Sequence, residues 1–360
     1  MNVSSGMLAS QLERHRIRGG SVRRVLVAGG EAELPIGIAG MESVERVLWL
    51  PTDIREAVRA DGIAGLDVHD LIAAPNFDIG EQFDAVLLPS PPNRDLVRRW
   101  LVLAAAVLAD DGVLVVAGAN DEGIRSVISD AANLFGTVGT EDYGKRHRVA
   151  RFGAGKMPGE RRPDWSARPG IAPGTWQRVE VPDGEDVLSL ATLPGVFAGD
   201  RLDAGTALLL EHLEIPAGIR VLDAGCGAGA IGLMAKRRGA GHVLMTDVDV
   251  FAVASVRRTI AVNHLAAVEA VASDVYDGLP ADRYDLIVSN PPFHQAKLVD
   301  HDMAERLIRE APAHLDAGGR VLIVANVFLA YGKILERHFH NVRTVVSTRQ
   351  YHVLEATSPR

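Results

Sequence analysis

Two short stretches carry residues whose types and spacing could do chemistry. One is "SNPPFHQ", Ser289 to Gln295, directly after the apolar run "YDLIV". The other is "LDAGCGAGAIGL", which sets Gly225, Gly227 and Gly229 between an apolar run and a helix-like one. In the first, Asn290 offers a side-chain carbonyl. The backbone carbonyl of Pro291 offers a second acceptor, held by the fixed φ of two successive prolines. An exocyclic nucleobase amine is a poor nucleophile because its lone pair is delocalised into the ring. Two acceptors aimed at its two N–H bonds favour the move towards tetrahedral geometry that attack on an electrophilic methyl group requires. Phe293 supplies a ring on which a base swung out of its helix could stack. Such chemistry needs in-line positioning and no metal. The plainer account, a strand ended by prolines with the aromatic in the core, competes until the second stretch is considered.

Glycines at the second stretch let the backbone turn sharply and approach a ligand without Cβ atoms in the way. The pattern Gly225-x-Gly227-x-x-Ala230 also satisfies a relaxed dinucleotide fingerprint. Asp223, just before the glycines, would repel a pyrophosphate and suits a cationic group such as the amino group of S-adenosylmethionine. Asp247, at the end of the next apolar run, lies at the distance that sets a carboxylate against ribose hydroxyls. Asp274, in "ASDV", could accept from an adenine amine, and a helix cap or loop carboxylate is the bland alternative for all three acids. Cys226 has no paired base or metal-ligand spacing and is read as a small residue tolerated in the loop.

Elements able to position these residues can be read in order. "RVLDAG", "HVLMTDVD", "VEAVASDV", "YDLIVSN" and "RVLIVAN" are strands separated by helical segments, and "VRTVVST" and "YHVLEAT" close the series. That alternation predicts an α/β fold with a parallel sheet, whose ligands bind beyond the strand C-termini. The first half repeats the plan weakly: "FDAVLLPSPPNRD" parallels "YDLIVSNPPFHQA", and "LADDGVLVVAGAN" parallels "LDAGGRVLIVAN". We read an ancient duplication whose first copy lacks the chemistry, because Leu88-Pro89 stands where the second has Ser289-Asn290. A structural or RNA-docking role suits it.

Between the halves, "GAGKMPGERRPDWSARPGIAPG" is rich in Gly, Pro and Arg and reads as a linker. The expected divisions are 1–152, a basic linker over 153–178, and a catalytic domain over 179–360. From Lys145 to Arg178 nine Lys and Arg face only Glu160 and Asp164, within a chain of net charge −8. That strip is either a solvated linker or a phosphate-contacting surface; the acidic whole argues against coating nucleic acid by charge alone. One cysteine in 360 residues excludes a disulfide framework and points to a reducing cytosol. No apolar run reads as a signal peptide or membrane span, so a cytoplasmic location without membrane contact is expected.

"DAGCGAG", "TDVD", "ASDV" and above all "SNPPFH" resemble the class I S-adenosylmethionine-dependent methyltransferases, and more narrowly the rRNA guanine-N2 methyltransferases with an Asn-Pro-Pro-Phe-His turn. The likeness extends over "LPGVFAGDRLDAGTALLL" and "VLIVANVFLAYGKIL" and, faintly, over "AGANDEGIRSV". It implies two tandem Rossmann-like methyltransferase domains, the N-terminal one degenerate and the C-terminal one a seven-stranded sheet. By the same resemblance Asn290, Pro291 and Phe293 are catalytic. Asp223, Gly225, Gly227, Gly229, Asp247 and Asp274 hold S-adenosylmethionine, while Pro292, His294 and Phe197 contact substrate, Phe197 as a lid or wall. Asn326 and Phe328 are read as structural. The implied partner is ribosomal RNA or a ribosomal subunit, with small-subunit 16S rRNA ahead of large-subunit 23S rRNA. A protein glutamine N5-methyltransferase, whose turn usually carries Tyr in place of Phe293, a non-catalytic RNA-binding assembly factor and a nicotinamide-dependent dehydrogenase are the alternatives.

Overall fold

The computed structural model describes residues 1–20, 22–76, 79–153, 162–280, 282–292 and 298–360. Phe293 and His294 lie outside the described residues, as do Lys156 and Arg161 in the middle of the basic strip. The chain divides into two compact units, Met1–Gln177 with Leu193–Gly195, and Arg178–Thr192 with Val196–Arg360.

In the first unit α1 (Val3–Ile17) precedes β1 (Arg24–Ala28), α2 (Glu33–Ala39), β2 (Arg46–Leu50), α3 (Ile54–Arg59), β3 (Leu66–Val68) and β4 (Phe83–Pro89). Then follow α4 (Arg94–Val107), β5 (Leu108–Ala119), α5 (Ile124–Phe135), β6 (Thr140–Gly144) and β7 (His147–Gly153). The strands form one seven-stranded sheet in the order β3-β2-β1-β4-β5-β7-β6, parallel except for β7, which runs antiparallel to both β5 and β6. Leu26, Val27, Val47, Trp49, Leu87 and Val115 are fully buried, as expected of parallel strands covered on both faces. Each such side chain contributes about 1.5–3 kcal/mol by leaving water. Lys145 and Arg146 form the turn between β6 and β7 with φ of 48° and 64°, a left-handed conformation at two consecutive positions that matches the twist of a tight hairpin.

Part of the stretch expected to link the halves is packed against the first unit. Trp165 is buried in a short 3-10 turn over Asp164–Ala167, Ile171 is buried, and the buried Arg99 of α4 donates to the Gly170 carbonyl at 2.6 Å. A run poor in periodicity can still be anchored by two apolar side chains and one guanidinium.

The second unit opens with the hairpin β8 (Gln177–Asp183) and β9 (Asp186–Thr192), followed by α6 (Ala204–Glu211). Its sheet is built from β10 (Arg220–Ala224), β11 (His242–Asp247), β12 (Val268–Ala272), β13 (Tyr284–Ser289), β14 (Leu315–Asn326), β15 (Phe339–Ser347) and β16 (Tyr351–Pro359). Helices α7 (Ala230–Arg237), α8 (Val250–Val262), α9 (Leu298–His314) and α10 (Tyr331–His338) alternate with them. The order β12-β11-β10-β13-β14-β16-β15 repeats that of the first sheet strand for strand, again with one reversed strand, β16, antiparallel to both its neighbours.

Register makes the duplication exact at the site. Val27 of β1 pairs with Leu87, as Asp223 of β10 pairs with Val288. Hence Val27 stands where the second unit has Asp223, and Leu88-Pro89 stands where it has Ser289-Asn290. Pro51, one residue beyond the Ala28–Leu50 pair, stands where the second unit has Asp247. The Pro89 ring closes on Gly30, where an added Cβ would lie 2.6 Å from it. The first unit has neither acid at these positions, and a proline stands in the place of the amide.

Candidate functional site

The glycine turn follows β10 at the C-terminal edge of the second sheet. Gly225, Gly227 and Gly229 have φ of 74°, 52° and 86°, a region that side chains with a Cβ adopt at a cost. Their roles differ. A Cβ at Gly229 would come 2.7 Å from Val256 of α8, so this glycine permits close packing of the start of α7. A Cβ at Gly227 would meet the Phe197 carbonyl at 2.9 Å, and that carbonyl accepts from the Ala228 N–H at 3.1 Å. The Phe197 backbone therefore lies against the glycine turn, and its side chain is 45% exposed.

Asp223 is fully buried. Its Oδ2 accepts from the Gly232 N–H at 2.8 Å, while its Oδ1 is buried with no hydrogen-bond partner among the described residues. Burial pushes the carboxyl up to about 7; the Gly232 bond works against that shift and the charge of Asp247 adds to it. A buried acid with one unpaired oxygen fits a cationic partner, and the α-ammonium of S-adenosylmethionine meets that requirement where a pyrophosphate would not. Asp247 Oδ2 accepts from Gly227 N–H at 2.8 Å and Oδ1 from Asp249 N–H at 2.9 Å, so this carboxylate pins the turn. Asp274 lies 3.5 Å from Arg306 in an ion pair and is partly exposed. Cys226 is buried, and burial, with the charges of Asp247 and Asp223, pushes its thiol well above the ordinary range, which makes it a poor nucleophile.

Asn290 follows the last residue of β13 and is 8% exposed. Its Nδ2 donates to Asp203 Oδ2 and to Thr206 Oγ1, each at 2.9 Å. Pro291 is buried and Pro292 half-buried. Ser289 Oγ donates to the Ala224 carbonyl at 2.7 Å, which ties the amide turn to the glycine turn. The structure thus gathers Asn290, Pro291, Asp223, Gly225, Gly227, Asp247 and Phe197 at one edge of one unit. Asp203 and Thr206 were missed by sequence reasoning; "DAGT" shows a helix cap, and nothing local to it points to Asn290. Asn326 is buried and Phe328 is 57% exposed.

Comparison with known proteins agrees with this geometry. The family model described as "Methyltransferase small domain" matches residues 187–355. A ribosomal RNA small subunit methyltransferase C of Chromohalobacter salexigens is 39% identical over 275 residues, covering 75% of this chain and 77% of the relative. One from Pseudomonas aeruginosa is 36% identical over 327 residues, covering 89% of this chain and 94% of the relative. A T. thermophilus 16S rRNA N2 methyltransferase, solved with AdoMet and guanosine, superposes with a TM-score of 0.78 at 29% identity, covering 93% of this chain and 88% of that one. No helix among the described residues is long and apolar enough to cross a membrane.

Proposed function

Since this chain belongs to the ribosomal RNA small subunit methyltransferase C family, we propose that it transfers a methyl group from S-adenosylmethionine to the exocyclic N2 amine of a guanosine in 16S rRNA. The observation that carries this reading is the Asn290 carboxamide, anchored by both N–H bonds beside a glycine turn that holds a buried, half-paired acid.

S-adenosylmethionine, when bound, supplies a sulfonium-borne methyl group with a good leaving group behind it. Asp223 would hold its ammonium, Asp247 its ribose and Asp274 its adenine amine, with Gly225 and Gly227 giving the backbone close approach. Asn290 Oδ1 and the Pro291 carbonyl accept the two N–H bonds of the guanine amine and localise its lone pair on nitrogen. Phe293 and His294 serve the target base, and Phe197 walls the site. The Asn290 amide is too weak a base to remove a proton, so the group acts by orientation and hydrogen bonding, and the methylated nitrogen, cationic and strongly acidic once the C–N bond has formed, releases its proton to water. The first unit, with Pro89 in the place of the amide, serves structure or RNA docking, and the substrate assigns the reaction to the cytoplasm.

Purified enzyme should be incubated with labelled cofactor and with small subunits, large subunits or a release factor. Label recovered as N2-methylguanosine from 16S rRNA is expected. Label confined to 23S rRNA or to protein would overturn the assignment, as would an unchanged 16S nucleoside profile in a strain lacking the gene.

A further inference from the structure

The direction of the Asn290 carboxamide decides whether the site works. The terminal torsion of an asparagine is broad and roughly two-fold, so an isolated residue would present NH2 as readily as C=O. Here Nδ2 lies 2.9 Å from Asp203 Oδ2 and 2.9 Å from Thr206 Oγ1. An ionised carboxylate only accepts, so the reversed carboxamide would set oxygen against oxygen. With both N–H bonds engaged, the carbonyl is the only part of the amide left for a substrate.

The anchor is itself fixed. Asp203 caps the N-terminus of α6, its Oδ2 accepting from the Thr206 N–H at 2.9 Å. Thr206 is buried, which keeps water from competing for these bonds. Gly205 leaves the room: a Cβ there would lie 3.1 Å from Asp203 Oδ2 and 3.3 Å from the Tyr351 ring. A helix cap needs no charge, since Ser, Thr or Asn serve about as well as Asp. The carboxylate therefore does more than the helix requires.

We propose that Asp203 and Thr206 are positioning residues that lock the Asn290 carbonyl towards the substrate amine, and that the Asp203 carboxylate strengthens that carbonyl as an acceptor. An amide that donates to a carboxylate is polarised, and electron density moves to its own oxygen. The same negative charge stabilises the positive charge that develops on the attacking nitrogen. The inference rests on the methyl-transfer reading of Asn290.

The test compares wild type, Thr206→Val, Thr206→Ser, Asp203→Asn and Asn290→Ala for kcat and KM on small-subunit rRNA, calorimetric cofactor affinity and melting. Thr206→Val and Asp203→Asn are expected to lower kcat roughly ten- to a hundredfold, the loss of a buried hydrogen bond partner. KM, cofactor affinity and melting should stay near wild type, and Thr206→Ser should recover most of the rate. If Thr206→Val and Asp203→Asn turn over within about twofold of wild type while Asn290→Ala is dead, the inference alone is overturned. A fall in kcat matched by an equal loss of cofactor affinity or stability, or not recovered by Thr206→Ser, would overturn it in favour of a structural role. An active Asn290→Ala would instead bring down the reading beneath it, so the two failures are told apart.

Discussion

Ser289 Oγ donates to the Ala224 carbonyl across 2.7 Å, joining the residue before the acceptor amide to the residue before the glycine turn. Both lie at the tips of adjacent strands, since Leu222 pairs with Ile287 and Asp223 with Val288. The two halves of the site are therefore held at one spacing by the sheet and by this cross-link.

Ser289→Ala removes the donor from a fully buried contact. Stability should fall by about 1–3 kcal/mol. Denaturant titration measures that, and single-turnover rates should fall as well because the spacing relaxes.

Asn290→Ala should lower kcat by roughly a hundredfold or more, the scale for losing a preorganised polar group that acts only in the transition state. Cofactor affinity, measured by calorimetry, should hold. Asn290→Asp sets a second carboxylate against Asp203 and removes the donor, so this variant should also be less stable than Asn290→Ala.

Asp223 gives the cofactor site a pH dependence. An unfolded aspartate ionises near about 3.9, whereas in the fold burial holds this carboxyl neutral up to about 7. The folded form binds the extra proton across that window, so the unliganded protein should lose stability as pH rises through it and level off above. A cationic ligand prefers the ionised acid. Cofactor affinity should therefore strengthen with rising pH below about 7 and flatten beyond it, with proton release seen as a buffer-dependent heat. Asp223→Asn should weaken binding and abolish the slope.

Asp247→Ala frees the Gly227 N–H that its carboxylate holds at 2.8 Å, and with it the turn. Affinity for S-adenosylmethionine should drop roughly ten- to a hundredfold. Gly227→Ala should do the same by driving a methyl into the Phe197 carbonyl, whereas Phe197→Ala should leave the turn intact and cost more in rRNA KM.

Lys145→Ala with Arg146→Ala tests the exposed end of the basic strip. If the hairpin turn contacts phosphate, RNA affinity should fall more at low than at high salt, and the slope of log K against log salt should shrink by up to about two.

Much of this was legible. The apolar runs of the second half became β10 to β14 and β16 because strands covered on both faces must be apolar along their length, and the turns at Gly225 and Asn290 fell where those runs stop. The hairpin of β8 and β9 passed unread although Asp183-Gly184 between alternating runs is its signal. Asp203 was legible as a helix cap but not as the partner of Asn290, since 87 residues separate them and only the sheet brings them together.

Pro89 against Gly30 has a consequence for the history of the first unit. Restoring a single asparagine there would not revive a catalyst, because Val27 and Pro51 would still leave any ligand without its acidic handholds. Three positions, Val27, Pro51 and Pro89, would have to change together before this turn matched that of the second unit. No one-residue exchange therefore turns the tip of the first sheet into a copy of the second.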